Sequence, residues 1–165
     1  MIREIGDEKE LVQSVQVIRE AFDTVAKELN LTEINCPTNP AFTNIGNLKA
    51  MKEKGIKFFG LYNNDDIQVG FVAIEKAGES LFYMERLAVL PGFRHSGFGT
   101  QLMDFVFDYV RKEKGLKVSI GIINENAILK KWYQDYGFKE TALKNYSHLP
   151  FTVCMMEKEF LETIQ

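Results

Sequence analysis

The sequence predicts a mixed α/β fold: a largely antiparallel sheet of about seven strands with helices on both faces. Three observations carry that expectation. Apolar residues recur at steps of three and four in segments long enough for helices, the signature of one buried helical face. Between two such segments lie three strand-like runs joined by short turn sequences. A nearly continuous apolar run, "KVSIGII", then follows a helix directly, as a buried strand does after a crossover.

The elements read in order from the N-terminus. Ile2 to Ile5 is a short first strand. Asp7 with Glu10 three residues later is a capping box. From there Leu11, Val15, Ile18, Phe22, Val25 and Leu29 line one face of a long helix. Asn30 and "TEINCPTNPAFTN" break it, and a second helix spans Asn44 to Lys54 before Gly55. "NNDD" supplies turn chemistry between two strands, and "KAGES" precedes a third, Leu81 to Leu90, which together read as an antiparallel meander. A helix runs from about Gly97 to Lys114, with Leu102, Val106, Tyr109 and Val110 on its apolar side. After "KVSIGII", "NENAILKKWYQDYGF" is a compact helix capped by Asn124 or Asn126 and stopped by Gly137. Phe138 to Leu143 and Phe151 to Phe160 are the last strands. No repeat, linker or low-complexity tract interrupts the chain, so residues 1–165 read as one domain.

Composition excludes several classes. A net charge of −3 argues against a nucleic-acid partner, which usually leaves a basic excess. No run approaches the roughly 18 apolar residues of a membrane span. Cys36 and Cys154 lack metal-ligand spacing, no metal cluster is visible, and so small a cysteine count fits a reducing cytoplasm. The charged N-terminus "MIREIGDEKE" has no secretory apolar core. The expectation is a cytoplasmic protein, monomer or homodimer.

The most informative stretch is "LPGFRHSGFGTQL", Leu90 to Leu102, which crowds glycines and a cation into the mouth of a helix. Helix N-termini present unpaired N–H groups and a positive dipole end, so they accept anions. Gly97 and Gly99 leave those amides open, Arg94 offers a fixed charge, and Ser96 and Thr100 offer hydroxyls. The stretch reads as a phosphate cradle or as a ligand-free strand-to-helix turn. It is neither a Walker A loop, having no lysine after Gly99, nor a dinucleotide fingerprint, since Leu102 stands at the third glycine.

Here the chain resembles the GNAT superfamily of N-acetyltransferases. Their pyrophosphate signature, [RQ]-x-x-G-x-[GA], stands as Arg94-His95-Ser96-Gly97-Phe98-Gly99, and the preceding "ERLAVLPGF" is similar to the family's fourth strand. Asn126, Tyr133, Gly137 and Phe138 match a second family pattern in order and spacing. The resemblance implies a GNAT-like fold with a parallel pair at strands four and five, acetyl-CoA as cofactor and an amine as acceptor. It implies that the pantetheine arm lies along backbone groups of Leu87, Ala88 and Val89. The pyrophosphate would then sit on the amides of His95, Ser96, Gly97, Phe98, Gly99 and Thr100, with Asn126 either capping its helix or touching the arm.

Acetyl transfer to an amine requires a neutral amine, a donor for the charge that develops on the carbonyl oxygen, and a proton for the departing thiolate. A backbone amide near Ala88 or Val89 is the candidate donor. Tyr133 is the candidate acid, against its alternative as a core ring beside Trp132 and Tyr136. Glu85 is the candidate base, against an ordinary strand carboxylate paired with Arg86 or a lysine; in its absence water takes the proton. Strand alternation places Glu85 on one face with Tyr83 and Leu87 unless a bulge changes the parity. His95 and His148 read as surface or packing residues and Cys154 as a small core residue.

By the same resemblance, "NLTEINCPTNPAFTN" and "KNYSHLP" frame the acceptor site, bringing Asn39, Phe42, Tyr146 and His148, with Glu28 and Glu33 able to draw a cation. The compact first segment favours a small-molecule amine over a protein amino group. Two other readings stay open: an acyl-CoA sensor without turnover, and an acetyltransferase of proteins.

Overall fold

A computed structural model describes residues 1–161. Its strands are β1 (Ile2–Glu4), β2 (Lys57–Tyr62), β3 (Gln68–Lys76), β4 (Leu81–Val89), β5 (Lys117–Ile123), β6 (Lys139–Asn145) and β7 (Thr152–Glu159). Its helices are α1 (Glu8–Glu28), α2 (Ile45–Glu53), α3 (Phe98–Lys112) and α4 (Ala127–Asp135). Single 3₁₀ turns at Pro40–Phe42 and Pro91–Phe93 are additions to the expected order.

The strands form one seven-stranded sheet in the order β1-β2-β3-β4-β5-β7-β6. All neighbours are antiparallel except β4 and β5, which are parallel as the α3 crossover requires. β7 inserts between β5 and β6, so the last hairpin completes the sheet with its second strand inward.

Each face of the sheet has its own core. On one, α1 and α2 contribute Leu11, Val17, Ile18, Leu48 and Met51 against Phe58, Phe71, Ala73 and Ala88. On the other, α3 contributes Leu102, Met103, Val106 and Val110, and α4 contributes Tyr133, against Phe82, Met84, Val118 and Ile120. The capping box at Asp7 and Glu10 forms as expected. The buried stripe of α1 rotates from the expected one, toward Ser14, Val17 and Ala21, and leaves Val15, Phe22, Val25 and Leu29 half-buried. Ser14 can lie inward because its hydroxyl meets the Gln68 side chain on β3, so the buried polar pair is satisfied.

A third, smaller cluster joins distant segments. Ala26, Leu31, Cys36 and Ala41, from α1 and the segment after it, pack with Ile123 of β5 and with Leu149 and Phe151 of the β6–β7 connection. The two stretches expected to frame the acceptor site therefore meet beside the end of β5.

Candidate active site

The site begins where strand pairing stops. β4 and β5 are in register only from Leu81 to Tyr83 and from Lys117 to Ser119. Beyond that, β4 stays paired with β3 and β5 with β7, so the upper halves of the two central strands part. A slot between two adjacent strands, deep in a sheet, exposes backbone groups that pairing would otherwise consume.

A β-bulge shapes the open half of β4. The register with β3 slips between Phe71 and Ala73, placing Arg86 and Leu87 together opposite Val72. Arg86 has φ 52°, in the left-handed region. The bulge corrects the parity read from simple alternation. Leu87 and Val89 pack on the α3 face with Phe82 and Met84, whereas Ala88 belongs to the α1 face. Glu85, out of step with Met84, is on the α1 face with Tyr83, not on the face of Leu87.

Glu85 is half-buried, and its carboxyl is held above the usual carboxylate range. Removal from water is the main cause, reinforced by the Glu75 carboxylate and opposed by Arg86. The only ion pair of Glu85 among the described residues is long, 3.9 Å from Oε2 to Arg86 Nη1.

Past β4, the Leu90 amide bonds to the Val69 carbonyl at 2.9 Å and ends the strand. The chain then turns through Pro91–Phe93, with His95 at φ 63° and Gly97 at φ 83°. These left-handed residues turn the backbone into α3 without a side-chain cap. The amides of His95, Ser96, Gly97, Phe98, Gly99 and Thr100 find no acceptor among the described residues. Consecutive free amides ahead of a 15-residue helix are able to donate hydrogen bonds to the oxygens of an anion. Open space surrounds the position a Gly97 Cβ would take. The residues present therefore fit the pyrophosphate of coenzyme A.

Two side chains of the motif serve contacts other than those expected. Arg94 turns to α1, where Nη2 donates to the Ala21 carbonyl at 2.6 Å and Nη1 to Thr24 Oγ1 at 3.4 Å. The cradle is thus backbone, and Arg94 ties it to the helix on the other face of the sheet. At Gly99 a Cβ would stand 3.3 Å from the Trp132 ring, so this glycine admits α4 beside α3. Thr100 Oγ1 meets the Tyr136 hydroxyl at 2.6 Å, closing the same seam.

Tyr133 is 5% exposed, packed edge-on against Trp132 and Phe138. Burial alone holds its phenol far above the ordinary value, so it stays protonated through the neutral range. Its hydroxyl makes no hydrogen bond with the described residues, and neighbouring side chains do not tie up its proton. Asn126 caps α4, its Oδ1 accepting from the Leu129 amide at 3.2 Å; Gly137, at φ 96°, ends that helix.

On the acceptor side, Asn39 is buried and caps the turn at Pro40–Phe42, so its side chain is structural. Glu28 and Glu33 are exposed. Tyr146 and His148 lie with ring centroids 5.7 Å apart on the β6–β7 connection. Cys36 and Cys154 are buried and free. Among the described residues no helix is long and apolar enough to cross a membrane, and no group of three potential ligands could hold a metal ion.

The acetyltransferase (GNAT) domain family matches residues 54–140, more than half of the chain. No curated protein matches in sequence. Among solved structures, the ribosomal-protein-S18-alanine N-acetyltransferase from Escherichia coli superposes with a TM-score of 0.78 at 14% identity, over 100% of this chain and 96% of that one. The PaiA N-acetyltransferase from Thermoplasma acidophilum, in complex with coenzyme A, gives 0.73 at 18% identity, over 97% and 98%. An aminoglycoside 6'-N-acetyltransferase complexed with coenzyme A gives 0.72 at 14% identity, over 100% and 99%.

Proposed function

The chain belongs to the GNAT acetyltransferases, enzymes that draw their acetyl group from acetyl-CoA, and on that premise we propose that it acetylates the primary amine of a small molecule in a ternary complex. The observation that carries the reading is the coincidence of two features at one end of β4: the parting of β4 from β5, and the row of free amides from His95 to Thr100. One accommodates a pantetheine arm along Leu87, Ala88 and Val89; the other accepts its pyrophosphate.

Bound acetyl-CoA supplies an activated thioester carbonyl. Each of the chain's groups then has a definite task. Glu85, on the α1 face of the sheet, takes a proton from the amine, and its raised pKa makes it a stronger base than an exposed carboxylate. A backbone N–H at Ala88 or Val89 donates to the carbonyl oxygen as charge develops there. As the nitrogen–carbon bond forms and the carbon–sulfur bond breaks, Tyr133 shares its proton with the departing thiolate and regains one from the proton that the amine gave up to Glu85. Burial keeps the phenol protonated through the neutral range and makes it a weaker acid than the thiol, whose ordinary pKa is near ~8.5, so its proton moves only in concert with that replacement.

The acceptor reading rests on the third cluster, a compact apolar corner in which Phe42, Leu149 and Phe151 border the open end of β5. Among the structural neighbours are acetyltransferases named for a ribosomal protein and for an aminoglycoside, so the fold accommodates both acceptor classes. The compact corner suits the small molecule. Free buried cysteines accord with action in a reducing cytoplasm.

Thiol release from acetyl-CoA over a panel of amines, with calorimetry of acetyl-CoA, tests the proposal. Gly97→Val forces a β-branched residue to φ 83° and fills the open face of the cradle. Acetyl-CoA affinity should fall by at least about tenfold, the loss of a charge-assisted hydrogen bond or more. Unchanged affinity in this variant would sink the cradle. Tight binding with no thiol release over the whole panel would make the protein an acyl-CoA sensor.

A further inference from the structure

Arg86 is the residue that the family pattern leaves without a task. It occupies the bulge of β4, in the half of the strand that has left β5. Its backbone is held at φ 52°, a conformation that favours glycine or asparagine over arginine. Its side chain is only 23% exposed, and Nε is buried with no hydrogen-bond partner among the described residues. Its ion pair with Glu85 stretches to 3.9 Å, too long for a hydrogen bond. A guanidinium removed from water is normally saturated by a carboxylate in forked geometry. Here a strained backbone holds a half-satisfied guanidinium beside a half-satisfied carboxylate on the half of β4 that has parted from β5.

An acceptor that matches this pair carries two opposite charges as close together as Arg86 and Glu85 are. We infer that the acceptor is a free α-amino acid, its carboxylate taken by Arg86 and its amino group presented to Glu85. The inference rests on the acetyltransferase reading and narrows its substrate class. An α-amino acid bears both groups on one carbon, so each finds its counter-charge on adjacent residues of the strand. A polycationic acceptor would instead place a positive charge against Arg86 without compensation. An amino group at a protein N-terminus has an amide where the free amino acid has its carboxylate, and so lacks the anion for Arg86.

The test compares leucine, phenylalanine, lysine and glutamate, each with its amide and its decarboxylated amine, in thiol release from acetyl-CoA. The free amino acids should exceed both analogues by about 10- to 100-fold in kcat/KM, the scale of one lost charge-assisted contact. Arg86→Gln should abolish that preference by raising KM for the amino acids far more than for the decarboxylated amines, while any change in Glu85 is shared by all acceptors. Arg86→Lys should restore part of it. Equal use of acids, amides and amines by the unaltered enzyme would overturn the inference and leave the acetyltransferase reading intact. So would an Arg86→Gln variant that loses activity equally toward all three. Acetyl-CoA that binds but releases no thiol with any amine would remove both readings.

Discussion

The two halves of β4 have the same neighbours in sequence order and opposite duties. From Leu81 to Tyr83 the strand is hydrogen-bonded on both edges, to β3 and to β5, and its inward side chain Phe82 is 2% exposed against Val118 and Tyr109. From Met84 to Val89 one edge is open, the strand bulges at Arg86, and two charged side chains lie half-buried. The closed half is a clasp for a parallel pair. The open half carries every group on β4 to which the proposed chemistry gives a task. Continuous pairing satisfies backbone groups and leaves them inert, so a site inside a sheet must be made by ending that pairing.

The sharpest way to test this division is at Tyr133, which faces the α3 core rather than either acceptor segment. Tyr133→Phe keeps the ring against Trp132 and Phe138 and removes only the hydroxyl. It should lower kcat by about 10²–10⁴-fold, the range of a general acid, with little change in acetyl-CoA Kd or Tm. Full activity would leave the thiolate to depart without a proton from the protein. An early-melting variant with weak acetyl-CoA binding would make Tyr133 a packing residue.

Breaking the closed half should have the complementary effect. Phe82→Ala empties a buried ring site and should cost about 3–5 kcal/mol of stability in denaturant unfolding. The acetyl-CoA affinity of the folded fraction should be unchanged, because the cradle begins beyond Val89. If affinity falls while stability holds, the two halves are not separable.

Glu85 gives the smallest effect and the finest resolution. A base must be ionised, and burial raises this carboxyl, so kcat/KM should fall on the acid side at a pH above the ordinary carboxylate range near ~4.3. Glu85→Gln should erase that limb and lower kcat/KM by about 10²-fold, the lower end for such a group. Stability moves in the other direction. The folded chain binds this proton more tightly than the unfolded one, so the carboxylate destabilises increasingly as pH rises from its unfolded to its folded pKa. The glutamine variant should therefore melt slightly higher at neutral pH. A pH–rate profile that superimposes on the parent's would assign the proton to water.

Some of the molecule was legible because its cause is local. The capping box at Asp7 and Glu10, the turn at "NNDD" and the stop at Gly137 each depend on residues within a few positions and form as read, and of the two candidate caps for α4 it is Asn126 that caps it. The inward stripe of α1 was read one step astray, since the hydrophobic pattern did not count Ser14, which is buried through a partner 54 positions away. Glu85's face and Leu87's face were assigned together by alternation and separated by one bulge. Arg94 was expected beside the phosphates and is instead bonded to a carbonyl 73 positions earlier. Arg86 drew notice only as a partner for Glu85, because no local signal reveals a left-handed residue inside a strand.

What the sequence determined by itself was the order of elements, the parallel crossover into β5 and the glycine-rich turn that leads into α3. Periodicity, turn chemistry and glycine placement are properties of neighbouring residues, and a reader of the chain has all of them. What only the tertiary structure decided was where β4 leaves β5, which face each charged side chain of the open half occupies, and which polar atoms remain without partners. Those depend on the register between strands and on groups far apart in the chain. A one-residue slip moves every later side chain to the other face of a sheet, so the placement of Glu85 and Arg86 is fixed by strand pairing and not by their position in the sequence.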